Sequence, residues 1–316
     1  MKYKNILITG GNGKLGRIVC EHLEKQGYTV TLFDQFGPAD AVPPWDGDCK
    51  ALILKGNLNN LGDCMSAISH SNAEVIIHLA ALPHDTDINP NSRNQVWRRV
   101  QRNPEDTTMK ANVMGTYYLL DAARKMGVKK MVFASTFFTL GCGFRISKKQ
   151  FQVDYLPLDE EHESRPEDTY SLSKVLNEEM MKAYARAYDM KFVALRLLGV
   201  TFPFREAMPL ATLEDVKKNA EASKKSGNSD FNTYMYIDAR DIANVCELAI
   251  EKDLDNDFEA FFLATGTGVK GTPAEIIEII RPDLKEMAKN IPDGEGIITC
   301  KKIKDMLGYK PQYVRE

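Results

Sequence analysis

A glycine-rich turn between a strand and a helix is the feature that most constrains the fold of this chain. The apolar run from Lys4 to Thr9 stops at glycines, and apolar residues at helical spacing follow from Lys14 to Gln26. Glycines let such a turn bend tightly and approach a ligand, while the amides that open the helix attract an anion. The turn reads Thr9-Gly10-Gly11-Asn12-Gly13-Lys14-Leu15-Gly16. The pattern predicts a strand, turn and helix that bind a pyrophosphate.

The alternation of strands and helices continues along most of the chain. Such alternation predicts βαβ units and a parallel sheet with helices on both faces. We therefore expect an α/β fold, a Rossmann-type doubly wound parallel sheet. Further strands are predicted at 29–33, 51–54, 75–79, 130–134 and 192–197, and further helices at 108–125, 171–188, 213–225, 239–250, 273–280 and 300–307.

Two long stretches, at 84–104 and 141–167, interrupt this alternation. Segments of that length in a compact domain usually shape a site or close over one, although surface decoration is also consistent. Beyond Gly199 the pattern becomes irregular. We expect residues 1–198 to form a nucleotide-binding domain. Residues 199–316 are predicted to form mainly a smaller substrate-binding lobe, with segments around 231–265 returning to the main domain.

Composition and charge exclude several kinds of partner. The 316 residues carry a net charge of -3, which gives no basic field for a nucleic acid. The sequence shows neither a signal peptide nor a segment of membrane-spanning length, so we expect a cytoplasmic protein without a membrane partner.

The six cysteines lack Cys-x-x-Cys spacing, and the five histidines are not clustered. We therefore predict buried free thiols and assign no metal.

The end of the second strand indicates which dinucleotide binds. Asp34 lies at about the spacing of a carboxylate that hydrogen-bonds the adenosine ribose. A carboxylate there repels the extra phosphate of NADP, and no arginine follows at 35–38 to neutralise it, so NAD is expected. Asn57 and Leu58 close the third strand where an adenine contact would lie, although a simple turn is equally consistent.

A phenol and an ammonium lie on one face of a predicted helix. Tyr170 and Lys174 are four residues apart. A nearby positive charge favours the phenolate, so the pair could take a proton from an alcohol while hydride leaves the same carbon. The strand that ends in Ser135 and Thr136 adds hydroxyl groups at its carboxyl end, where open α/β sheets bind ligands.

Together with four further segments, these motifs resemble the extended short-chain dehydrogenase/reductases of the NAD-dependent epimerase/dehydratase family over nearly the whole chain. The segments are His78–Ala81, Asn112–Thr116, Asp238–Asp241 and Lys304–Pro311. The resemblance implies a homodimer, and a cofactor site made of Gly10, Gly13, Lys14, Leu15, Gly16, Asp34, Asn57, Leu58, Leu79, Ala80, Ala81, Tyr170 and Lys174.

The same resemblance implies the catalytic roles. Thr136 would hydrogen-bond the reacting oxygen, with Ser135 adjacent to it. Tyr170 would be the base, and Lys174 would hold the nicotinamide ribose and lower the tyrosine pKa. Asn112 would support the proton relay or the structure near it.

Departures from the family pattern bear on the substrate. Nucleotide-sugar enzymes usually carry an asparagine where this chain has Gly199, and residues 226–232 match their phosphate-binding hairpin poorly. Both changes weaken the case for a diphosphate.

Phe137 and Phe138 replace the Asp-Glu of dehydratases, so water elimination is not expected. Phe137 and Phe138 could stack on a sugar or on the nicotinamide, although core packing is also consistent. Candidate clamps for a carboxylate or phosphate of the substrate, each also consistent with a surface charge, are Arg93, Arg98, Arg99, Arg196 and Arg205.

We therefore expect an NAD-dependent oxidoreductase that acts on a hydroxyl-bearing carbon of a small carbohydrate, either a sugar or a sugar acid. One alternative is a nucleotide-sugar 4-epimerase similar to UDP-glucose 4-epimerase, with tightly bound NAD. An alternative of another class is a non-catalytic NAD-binding redox sensor. A protein that only binds NAD would not need the combination of Thr136, Tyr170 and Lys174, which argues against this alternative.

Overall fold

The computed structural model describes residues 2–37, 49–83, 104, 106–143, 145–203, 209–226 and 231–315. Within these ranges the main sheet has seven parallel strands in the order β3-β2-β1-β4-β5-β6-β9. A second sheet has the order β10-β8-β7. The strands are β1 (Asn5–Thr9), β2 (Thr29–Asp34), β3 (Leu52–Lys55), β4 (Val75–His78), β5 (Lys130–Thr136), β6 (Lys191–Leu197), β7 (Gly199–Thr201), β8 (Met235–Asp238), β9 (Phe258–Leu263) and β10 (Gly266–Thr267).

Helices cover both faces of the main sheet, which confirms the predicted doubly wound α/β fold. On β1, Ile6 and Ile8 face one apolar core and Leu7 faces the other, so the strand is buried on both sides. The helices are α1 (Lys14–Lys25), α2 (Leu61–Ser71), α3 (Gly115–Lys125), α4 (Thr169–Ala187), α5 (Leu213–Ser226), α6 (Ala239–Glu251), α7 (Pro273–Ile280), α8 (Lys285–Ala288) and α9 (Lys301–Leu307). None of these helices is long and apolar enough to cross a bilayer.

The predicted helix at 108–125 is not one continuous α-helix. A short turn at Thr107–Met109 leads into a π-helix at Lys110–Met114, and α3 follows at once. Wider π turns occur often at functional sites, and this one carries Asn112. Apolar periodicity does not distinguish the two kinds of turn, so the sequence pattern missed it.

The two long stretches that interrupt the predicted alternation of strands and helices differ in what the structure describes of them. Most of the stretch at 84–104 lies outside the described residues. The excursion at 141–167 packs into the protein: Phe151 and Leu158 are fully buried, and Leu158 forms a β-bridge with Ile298. The C-terminal half also supplies β9, which pairs with β6 at the edge of the main sheet. The proposed division at residue 198 stays a prediction.

Candidate active site

The glycine turn after β1 leaves no room for a side chain at Gly10 or at Gly16. Gly10 has a φ of +67°, and a Cβ there would lie 2.7 Å from the backbone nitrogen of Ala80. A Cβ at Gly16 would lie 2.5 Å from the carbonyl oxygen of Gly10. The turn therefore packs directly against the end of β4, and glycine is required at both positions.

The N-terminus of α1 is suited to an anion. Gly13 precedes the helix without a side-chain cap, and the first turn contains no acidic residue. The amides of Lys14, Leu15 and Gly16 consequently have no partner within the helix. These donors, together with the helix dipole, fit a pyrophosphate.

The Asp34 carboxylate is fixed at the end of β2. One oxygen accepts from the backbone N–H of Asn12 at 3.0 Å, and the other accepts from that of Phe36 at 3.1 Å. Asn57 is also held, because its side-chain oxygen accepts from the Asn59 amide at 2.9 Å. Both residues line the same cleft as the glycine turn.

That cleft runs along the carboxyl ends of the main strands and has a volume of about 1490 Å³. It exceeds the usual range for one small ligand, so it can hold a dinucleotide and a substrate together. Gly16 packs behind Gly10 rather than in the lining. The other residues predicted to bind the cofactor line the cleft: Gly10, Gly13, Lys14, Leu15, Asp34, Asn57, Leu58, Leu79, Ala80, Ala81, Tyr170 and Lys174.

The phenol of Tyr170 and the hydroxyl of Thr136 meet at the end of β5. A hydrogen bond with Thr136 lowers the pKa of Tyr170, but burial outweighs it and raises that pKa to about 12. The sequence predicted the opposite direction, with Lys174 lowering the tyrosine pKa. The net shift in the structure is upward because burial is its largest cause, while the Nζ of Lys174 lies 5.9 Å from the centre of the Tyr170 ring.

Lys174 is 2% exposed, and its Nζ donates to the carbonyl oxygen of Ala134 at 2.8 Å. Burial lowers its pKa to about 7, although the negative charge of Glu178 opposes this shift. The ammonium also lies 4.6 Å from the centre of the Phe133 ring. Burial therefore disfavours the charged form of both the Tyr170 phenol and the Lys174 amine.

Arg196 is not placed as a substrate clamp. Its guanidinium is buried, lies outside the cleft lining and donates twice to the carboxylate of Glu178, at 2.8 and 3.1 Å. Ser135 lines the cleft, yet its hydroxyl donates to the same carboxylate at 2.6 Å. The sequence prediction missed Glu178, although its spacing of four residues from Lys174 places both on one face of α4.

Asn112 ties the π-helix to its surroundings rather than lining the cleft. Its side-chain oxygen accepts from the Leu82 amide at 2.7 Å, and its side-chain nitrogen donates to the Ser173 hydroxyl at 3.0 Å. Asn112 thus positions the backbone after β4 against α4. Of the two roles predicted for Asn112, the proton relay or the structure near it, these contacts support the structural one.

Aromatic side chains from two separate segments line the cleft. Phe137 and Phe138 follow β5, and their ring centres lie 4.4 Å apart. Phe202 and the exposed Gly199 line the same cleft, and the Nζ of Lys14 lies 6.0 Å from the centre of the Phe202 ring. The candidate clamps Arg93, Arg98, Arg99 and Arg205 lie outside the described residues.

Comparison with known proteins identifies the family. The model of the NAD dependent epimerase/dehydratase family matches residues 6–263. The chain belongs to this family and is an NAD-dependent oxidoreductase of the extended short-chain dehydrogenase/reductase type. Its cofactor is NAD, which the glycine cradle and the open amides of α1 fit.

Curated relatives and solved structures agree with this assignment. A putative UDP-glucose 4-epimerase from Methanocaldococcus jannaschii is 28% identical over 97% of this chain and 93% of its own length. A uronate dehydrogenase from Pseudomonas syringae is 25% identical over 64% of this chain and 61% of its own length. The structure of UDP-glucose 4-epimerase from Brucella ovis in complex with NAD shares the fold, with a TM-score of 0.64 and 20% identity over 99% of this chain and 94% of that one.

Proposed function

We propose that this enzyme oxidises a hydroxyl-bearing carbon of a sugar or sugar acid with NAD. The observation that supports this most directly is the meeting of the Thr136 and Tyr170 hydroxyls beside Lys174 in the cleft. Thr136 would hydrogen-bond the reacting oxygen, and the phenolate form of Tyr170 would take its proton. The positive charge of bound oxidised NAD would favour that phenolate against the effect of burial. When bound, oxidised NAD accepts the hydride and carries a positive charge on its ring.

A second candidate is a nucleotide-sugar 4-epimerase. Several relatives that align over nearly the whole chain carry the name UDP-glucose 4-epimerase, among them the protein from Corynebacterium glutamicum. The same phenol and hydroxyl would serve an enzyme that oxidises its sugar and then returns the hydride. Against a diphosphate substrate, Gly199 offers no side-chain donor where such enzymes carry asparagine.

Absorbance of the reduced nicotinamide, screened over free sugars, sugar acids and nucleotide sugars, distinguishes the two. Net NADH that accumulates with a sugar or sugar acid supports the dehydrogenase. Conversion of UDP-glucose to its 4-epimer without net NADH supports the epimerase. No conversion of any of the three classes would contradict both.

We further propose that Asp34 selects NAD through the adenosine ribose. Its carboxylate is already held by two backbone amides, so it can accept hydrogen bonds from ribose hydroxyls without rearranging. Asp34→Ala should lower the ratio of kcat/KM with NAD to that with NADP, because the repulsion of the extra phosphate is lost. An unchanged ratio would exclude this role.

We also propose that the protein works as a homodimer in the cytoplasm. All six cysteines carry free thiols, as a reducing compartment would maintain. Apolar side chains of Met114, Tyr117 and Leu172 are exposed on the π-helix, α3 and α4. Sedimentation equilibrium should give twice the chain mass, and a monomer at micromolar concentration would contradict the dimer.

A further inference from the structure

Three metal-ligating side chains meet at the outer part of the sheet, away from the cleft. Cys20 and Glu24 are four residues apart on α1, so they share one face of the helix. Cys49 precedes β3. The two sulfur atoms and a carboxylate oxygen of Glu24 all lie within 4.8 Å of one another. None of the three lines the catalytic cleft.

The surroundings orient these donors. The backbone N–H of Lys50 donates to the Glu24 carboxylate at 3.1 Å. The backbone amide of Ala51 hydrogen-bonds the two sulfur atoms, and Arg17 lies close enough to place a positive charge near Cys49. Backbone donors and a nearby cation of this kind support anionic metal ligands.

We propose that Cys20, Glu24 and Cys49 bind one Zn²⁺, with a fourth position for water. Two thiolates and a carboxylate are ligands that zinc accepts in tetrahedral geometry, and distances below 4.8 Å allow one ion to reach all three. Each thiol that binds the ion as a thiolate releases its proton to solvent, and no oxidation is involved. The ion would join α1 to the segment that enters β3.

A disulfide between Cys20 and Cys49 is the competing use of the same thiols. Glu24 would have no part in a disulfide, whereas one of its carboxylate oxygens lies within 4.8 Å of both sulfur atoms and the carboxylate accepts a hydrogen bond from the Lys50 amide. The presence of this third donor therefore favours a metal site over a disulfide between Cys20 and Cys49.

The test uses the full-length chain, reduced with a phosphine, stripped with a chelator and titrated with Co²⁺ and then Zn²⁺. We expect one Co²⁺ per chain, a sulfur-to-cobalt charge-transfer band in the near ultraviolet, and displacement by Zn²⁺. Cys49→Ser and Glu24→Gln should weaken binding by about 100-fold or more, because each removes a ligand. Cys49 and Glu24 are only half-buried, so both variants should fold.

Glu21→Gln is the matched control, since Glu21 lies on the same helix but pairs with Lys25. It should bind Co²⁺ as the unmodified chain does. Absence of the charge-transfer band, or equal affinity in Cys49→Ser, would overturn the proposal. So would a reduced protein that binds no metal but forms the Cys20–Cys49 disulfide when exposed to oxidised glutathione. None of these measurements depends on enzymatic activity.

Discussion

Burial sets the protonation of the two residues at the centre of the active site. Tyr170 and Lys174 both leave water, and desolvation penalises their charged forms, which raises the pKa of the phenol to about 12 and lowers that of the amine to about 7. The spacing in the sequence correctly predicted a shared helix face. It could not predict how deeply that face is buried.

Removal of the Tyr170 hydroxyl tests its assignment as the base. Tyr170→Phe should lower kcat by about 10²- to 10⁴-fold, because general base catalysis contributes about that much. NAD affinity, measured by fluorescence titration, should barely change. Tyr184→Phe, on the same helix but outside the cleft lining, should keep normal turnover. Near-normal turnover in Tyr170→Phe would rule out the assigned base.

The lowered pKa of Lys174 predicts a pH dependence of stability. Its folded pKa of about 7 lies below the ordinary value of 10.5, so the unfolded chain binds more protons between these limits. The free energy of unfolding of the wild type should therefore rise relative to Lys174→Met from about pH 7 to 10. Urea denaturation of both proteins across that range measures the difference. A difference that does not vary with pH would show that burial does not shift this amine.

At the scale of elements, the N-terminus of helix α4 positions Tyr170, the residue proposed as the base. The Asp168 carboxylate accepts from the Ser171 amide at 2.8 Å and from the Ser171 hydroxyl at 2.6 Å. This cap fixes the first turn, which contains Tyr170. The sequence pattern predicted this helix at 171–188, close to its observed bounds. It predicted neither the Asp168 N-cap nor the π-helix before α3.

Loss of the α4 cap should affect stability and turnover together. Asp168→Ala should lower the free energy of unfolding by about 1–2 kcal/mol and also reduce kcat, because Tyr170 loses its fixed turn. Thr272→Ala removes the cap of α7, which lies outside the cleft lining, and should cost about 1 kcal/mol with unchanged kcat. Urea titrations and initial rates measure both quantities. Equal kcat in the two variants would contradict a positioning role for this cap.

At the scale of the whole molecule, a buried network joins three elements of the core. Glu178 on α4 receives Arg196 from β6 and Ser135 from β5. Such a pair matters mainly when one partner is removed, because the remaining charge is then buried alone. The network fixes α4 against the sheet next to the catalytic residues.

Breaking this pair should destabilise the whole fold. Arg196→Leu should lower the free energy of unfolding by about 3–5 kcal/mol, since Glu178 loses its counter-charge. Lys301→Ala, which breaks an exposed pair with Asp305, should cost less than about 1 kcal/mol. Chemical denaturation of both variants gives the comparison. Similar losses would show that burial of the Arg196 pair has no special effect.

The sequence by itself determined the features that depend on neighbouring residues: the glycine turn, the alternation of strands and helices, and the shared face of Tyr170 and Lys174. Steric and hydrogen-bonding rules act over a few residues, so local patterns report them. Tertiary structure alone decided that Arg196 pairs with Glu178, that β9 takes the edge position beside β6, and that Cys49 meets α1. These outcomes depend on contacts between distant segments, and burial there sets charge and pairing in ways that no local pattern encodes.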